Sequence, residues 1–223
     1  MPQPIRRWTD MQFAEASIIA RPELGIFIAR IAAVWSEIEV NMGLLLGDML
    51  NTEARTGVSM YLALSGSAAQ DKILLAAADA CLPHGLKNEF AELVAEMRRR
   101  GKERNAVVHA LWGAPESDPD KLVNCPPDNI VGHVAKEVYS LESRADVFMK
   151  PPSQEFISHL RSYTDKNFEE ILVRLREFRQ KLLIFSHAVL AVRKLPAALA
   201  PAQELQAGEG SEGRNQTTQS KPK

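Results

Sequence analysis

Two cysteines, Cys81 and Cys125, are all that this chain of 223 residues contains. That number excludes a disulfide scaffold and favours a reduced compartment, with a single bridge as the alternative. Charge of either sign is not in excess: 27 Lys and Arg stand against 28 Asp and Glu, a net of -1. A binder that grips nucleic acid over a large basic surface is thereby excluded, so any such contact needs a local cluster. No apolar run reaches membrane-spanning length before a charge breaks it. The opening Met1–Trp8 carries charge with no signal-type apolar stretch behind it. The expectation is a cytoplasmic protein with no membrane association. Phosphate-cradling glycine loops, dinucleotide fingerprints, nucleophile elbows and zinc-protease patterns are also missing. Cys81 and His84 have a Cys-x-x-His spacing, but Cys125 and His133 form no second close pair. Neither a metal nor a cofactor is expected.

What is present is helical periodicity. Hydrophobic residues make up 45% and charged residues 25%, a balance that excludes disorder over most of the length. Ile28, Ile31, Trp35, Ile38, Met42, Leu45 and Met49 alternate steps of three and four, the stripe of one long helix with Pro22 near its first turn. A second helix is predicted over 54–82, ending before Pro83 and divided or kinked at Gly66. A third is predicted from Leu86 to Trp112, stopped by Gly113 in a left-handed cap and by Pro115. Residues 114–152 are punctuated by Pro, Gly, Asp and Asn; Lys121–Cys125 and Val138–Met149 read there as short strands, forming a hairpin or an extended excursion from the helical body. The fourth long helix starts near Ser153, and its stripe runs Phe168, Ile171, Leu175, Phe178, Leu182, Phe185, Val189 and Val192 to Pro196. Seams this regular read as core or dimer interface. The fold class expected is all-α: an antiparallel bundle of four or more long helices with an irregular or β-hairpin insertion at about 114–152. It forms one domain over 1–195, and the Ala-, Pro-, Gln- and Gly-rich 196–223 is expected to be a disordered tail.

The third helix breaks its own pattern. Past Met97 the stripe continues through Arg100, Arg104, Val107 and Leu111, so two arginines stand where apolar residues are called for. A buried arginine requires an anionic partner. The plain account pairs it with a core carboxylate such as Glu37 or Glu39, or lets it reach solvent. His109 follows in the last turn, where the negative helix end favours a protonated ring; carbonyl capping is its plain role. The neighbouring run Arg98-Arg99-Arg100-Gly101-Lys102 supplies Arg100 and Lys102 as candidate contacts to RNA phosphates, against a solvated charged face.

Taken together, Glu103-Arg104-Asn105-Ala106-Val107-Val108-His109-Ala110-Leu111-Trp112-Gly113 resembles the signature of the HEPN superfamily. That signature is an Arg, commonly followed by a polar residue, then variable positions and a His, late in a central helix. The Trp-Gly after the histidine also looks like many members, and the resemblance spans the helical body, about residues 20–195. It implies a homodimer whose motif helices face one another across a shared cleft. It also implies metal-independent RNA cleavage by attack of the RNA's own 2′-hydroxyl. On that resemblance Arg104 would hold the phosphate, His109 would move protons, and Asn105 would orient His109 or bind phosphate. Bacterial members often act as toxins or phage-defence effectors, so a cognate antitoxin or inhibitor is an implied partner. The alternative is a non-catalytic HEPN-like protein that binds a partner or a nucleotide. Geometry adds one condition. Arg104 and His109 are five residues apart, so an ideal helix turns them about 140° from each other, and only a cleft between two protomers would join them.

Overall fold

The computed structural model describes residues 1–5, 11, 13–140 and 152–194. In chain order its elements are β1 (Gln3–Pro4), α1 (Glu15–Ile19), α2 (Pro22–Leu50), α3 (Ala54–Ala63), α4 (Ser67–Cys81), α5 (His84–Val108), β2 (Leu111–Gly113), β3 (Leu122–Cys125), α6 (Pro127–Ser140), α7 (Gln154–His159), β4 (Arg161–Tyr163) and α8 (Asp165–Lys194). The protein is mostly helical, with one small antiparallel sheet of order β1-β4-β3-β2.

The periodic stripes become the core. Ile31, Trp35, Ile38, Met42, Leu45 and Met49 of α2 are buried, as are Phe168 to Val189 along the α8 stripe. Ile28 is half-buried against this core, and Val192, 37% exposed, leaves the seam. These two helices run in the same direction. Phe27 stacks on Phe168, Glu37 pairs with Arg179, and Arg193 bonds Asp48 and Asn51, so both numberings rise together. The expectation of antiparallel packing fails for this pair because α5 carries the chain back between them. Against α8, α5 is antiparallel: Phe90 meets Phe185, Glu96 meets Lys181 and Glu103 meets Arg174.

The division at Gly66 is present, with Gly66 at φ 90° between α3 and α4. The third helix is shorter than its periodicity predicts. It ends at Val108, and Leu111–Gly113 leaves as a strand. The helix end is closed by residues just beyond it and by one from β3. The His109 N–H donates to Asn105 O at 3.1 Å, Trp112 Nε1 donates to Val107 O at 3.2 Å, and Asn124 Nδ2 donates to Ala106 O. Trp112 and Asn124 are cross-strand partners, so one face of the sheet satisfies the last carbonyls of α5. Gly113 is therefore no helix cap. It lies within the sheet, where an added Cβ would sit 2.9 Å from Met11 Sδ.

The hairpin expected in 114–152 takes its first strand from outside that segment: β3 pairs with β2 and with β4. Residues 138–140 belong to helix α6, and the rest of the predicted strand Val138–Met149 lies outside the described residues, as does the 196–223 tail. Ser153 does open a helix, its Oγ accepting from the Phe156 N–H at 3.2 Å, but that helix is the short α7. The long α8 starts afresh at Asp165, after β4. The sheet itself was not expected, and both its faces are covered. Leu122, Trp112 and Tyr163 join the main core; Val123 and Cys125 join a second core with Phe156 and Leu160.

Asn124 is only 4% exposed and ties β3 to the end of α5. Asn124→Ala leaves the Ala106 carbonyl without that donor and should lower unfolding free energy by about 1–3 kcal/mol. Urea unfolding followed by circular dichroism reads this as a lower midpoint at unchanged slope.

Candidate active site

His109 occupies the bend between α5 and β2, with φ -100° and ψ 3°, outside helical geometry. This bend cancels the 140° objection. Arg104 Nη1 donates to Asn105 Oδ1 at 2.8 Å and lies 2.9 Å from His109 Nε2. All three motif residues thus meet within one protomer, and no second chain is needed to bring them together. The contact also fixes a tautomer. A guanidinium N–H only donates, so the Nε2 beside it is the acceptor and the ring proton of the neutral imidazole belongs on Nδ1.

Arg104 is held from below. Its guanidinium carbon is 5.9 Å from the centroid of the Trp35 ring, which is 7% exposed and fixed in the core. Gly101, one turn earlier, leaves room for that indole: a Cβ there would lie 3.2 Å from Trp35 Cη2. Trp35 is therefore core, as its stripe predicts, and also the floor under the arginine.

These residues face a cavity of about 680 Å3. Its α5 wall carries Arg98, Gly101, Lys102, Arg104 and Asn105, with His109 at the end; Ser67, Gln70 and Asp71 of α4 and Glu39 of α2 lie opposite or beside them. Asn105, Lys102 and His109 are exposed, whereas Arg104 is half-buried. The cavity is thus lined by cations and an imidazole together with two carboxylates, Asp71, which pairs with Arg98, and Glu39.

Arg100, the other arginine on the stripe, is not at this cavity. It bonds Glu96 at 3.0 Å and Glu103 at 3.2 Å, and these carboxylates also take Lys181 and Arg174 of α8. Burial disfavours the charged form of Glu96, but hydrogen bonds from Lys181 and Arg100 outweigh it and hold the carboxyl below its usual range. Arg100 is a tie between α5 and α8, paired with carboxylates other than the Glu37 and Glu39 considered from sequence. Trp112, three residues beyond His109, is buried under the sheet with its indole N–H committed to Val107.

Asp71 was missed. The buried side of α4 consists of Asp71, Leu74, Ala77 and Ala78, so a carboxylate stands on an apolar stripe. That irregularity was readable in the sequence, as was the one that drew attention to Arg104. Asp71 pairs with Arg98, and with Glu39 it faces Tyr61, whose phenol is pushed well up, first by burial and then by these carboxylates. Cys125, also buried, has its thiol pushed up to about 11 by desolvation and stays protonated at neutral pH, unsuited to nucleophilic work. Among the described residues, no His, Cys, Asp and Glu side chains gather into a metal-holding group, and no helix is long and apolar enough to cross a membrane.

No protein-family model matches the chain, and no curated protein or solved structure does so either.

Proposed function

We propose that the protein is a metal-independent endoribonuclease of HEPN type, with Arg104, Asn105 and His109 as its catalytic group. The observation that carries this reading is the 2.9 Å approach of Arg104 Nη1 to His109 Nε2 on the wall of an open cavity. In the resting site the arginine occupies the lone pair of the imidazole. A phosphodiester is a stronger partner for a guanidinium than a neutral ring is. When RNA enters, Arg104 turns to the phosphate and Nε2 is released as a base. It takes the 2′-hydroxyl proton while the 2′-oxygen bonds to phosphorus. The bond from phosphorus to the 5′-oxygen breaks, and the leaving oxygen receives a proton from the imidazolium or from water. The products are a 2′,3′-cyclic phosphate and a 5′-hydroxyl. Arg104 balances the charge added to the phosphoryl oxygens, and Asn105 fixes the angle of the arginine.

The homodimer, the bundle architecture shared with HEPN proteins and a cognate inhibitor belong to this reading. So do cytoplasmic action and a role as a toxin or phage-defence effector. In a dimer the second chain would complete the walls of the cleft, since the Arg104–His109 contact is already made. The test is incubation of the folded protein with RNA in EDTA, where cleavage supports the reading and intact RNA opposes it. The cavity's size and its cations also favour the second reading, a nucleotide-binding protein without catalysis, which predicts binding but no cleavage.

Lys102, exposed at the cavity, is the residue placed to follow the RNA backbone. Lys102→Gln should weaken binding of single-stranded RNA and reduce the slope of log affinity against log salt by about 0.7. Arg100→Gln, away from the cavity, should leave that slope unchanged. Fluorescence anisotropy at several salt concentrations separates the two.

A further inference from the structure

Asp71 carries an unmet demand. It is 2% exposed, one carboxylate oxygen, Oδ2, is bonded by Arg98, and Oδ1 has no hydrogen-bond partner among the described residues. A buried carboxylate oxygen without a donor is unfavourable, and a donor brought by a ligand would relieve it. Asp71 lines the same cavity as Arg104 and His109, on the wall that α4 contributes. Gln70 and Ser67, both on that wall, are polar groups able to bind the edge of a planar ring. Arg98 stays on Oδ2, its own side chain 54% exposed, so Oδ1 is the oxygen left for a ligand.

We propose that Asp71 selects the base of the bound nucleotide, its Oδ1 accepting a hydrogen bond from an exocyclic amino group such as cytosine N4 or adenine N6. This rests on the reading of the cavity as an RNA site. Arg98 sets the polarity of the device. A guanidinium can only donate, so whichever atom of residue 71 faces it must be an acceptor. In Asp71→Asn the amide oxygen therefore turns to Arg98 and the amide N–H points to the free side. The acceptor becomes a donor. Cytosine and uracil differ in the exocyclic group, amino against carbonyl, and with it in the adjacent ring nitrogen, acceptor against donor; adenine and hypoxanthine differ in the same way.

The test uses 2′-O-methylated hexanucleotides, which cannot be cleaved by 2′-hydroxyl attack, in competition anisotropy with the full chain. The wild type should bind the cytosine hexamer about tenfold more tightly than the uracil hexamer, the factor one hydrogen bond to a charged acceptor supplies. Asp71→Asn should abolish or reverse that preference, an effect that simple loss of stability does not produce. Equal binding of both hexamers by the wild type, or a preference that Asp71→Asn leaves unchanged, overturns the proposal. If the variant does not fold, the wild type's preference for adenine over hypoxanthine hexamers decides. Because nothing is cleaved here, a base preference without cleavage of ordinary RNA would remove the nuclease reading and leave Asp71's role standing. Cleavage without any base preference would do the reverse.

Discussion

Replacing His109 by Ala should lower RNA cleavage by about 10²–10⁴-fold, the range lost with a general acid–base group. The fold should survive, because the side chain is exposed in the bend after α5 and its ring makes one hydrogen bond among the described residues, to Arg104. Its stability should change by no more than about 0.5 kcal/mol. Arg104→Ala removes charge stabilisation at the phosphate and should cost about 10²–10³-fold. It also uncovers Trp35, so a modest stability loss accompanies it. Since the two residues act on one transition state, the double variant should be little worse than the poorer single. Asn105→Ala removes one hydrogen bond that orients Arg104 and should cost about tenfold. A ranking with Asn105 as the most damaging position would contradict the assigned roles. Cleavage by fixed amounts of each variant, with circular dichroism to confirm folding, measures the order.

The largest effect on stability is expected at Gly57. An added Cβ there would lie 2.5 Å from Gly47 Cα and 2.6 Å from Gly43 O, both backbone atoms of α2 that cannot step aside. Gly43 faces α3 as closely, its own Cβ position falling 2.7 Å from Val58 Cα. The two helices are thus packed backbone to backbone through glycines. Overpacking a core commonly costs about 1–3 kcal/mol, and Gly57→Ala should reach the upper end or exceed it. Gly85→Ala is the control: nothing lies within 4 Å of its Cβ position, and it sits exposed in helix α5. That change should stabilise by about 0.4–1 kcal/mol. Urea midpoints moving in opposite directions are the expected outcome. The glycine packing also bears on the site, because α3 leads through Gly66 into α4 and sets where Ser67 and Asp71 stand.

Features written in local periodicity were legible from sequence. The stripes of α2 and α8 are buried nearly residue for residue, and Gly66 does divide the second helical segment. Lys121–Cys125 contains β3. Arg104 stood out as an arginine on an apolar stripe, and it does meet Asn105 and His109, which the resemblance grouped with it. What was not legible depends on partners far along the chain. The end of α5 depends on Asn124, which bonds Ala106 and pairs across the sheet with Trp112, and nothing in the run from Arg104 to Trp112 disfavours helix strongly enough to end it. That one boundary changed the site, because a continuous helix would separate Arg104 from His109. The strands are two to four residues long and gain their stability from cross-strand bonds, so no period announces them. The shared direction of α2 and α8 likewise follows from the path between them and not from either seam.

The most direct test of the central claim is the chemistry of the ends left on RNA cut in EDTA, read by mass spectrometry for the wild type and His109→Ala. The account predicts 2′,3′-cyclic phosphate and 5′-hydroxyl ends from the wild type, with little or no cleavage by the variant. Ends bearing 3′-hydroxyl and 5′-phosphate, or equal cleavage by both proteins, would contradict it.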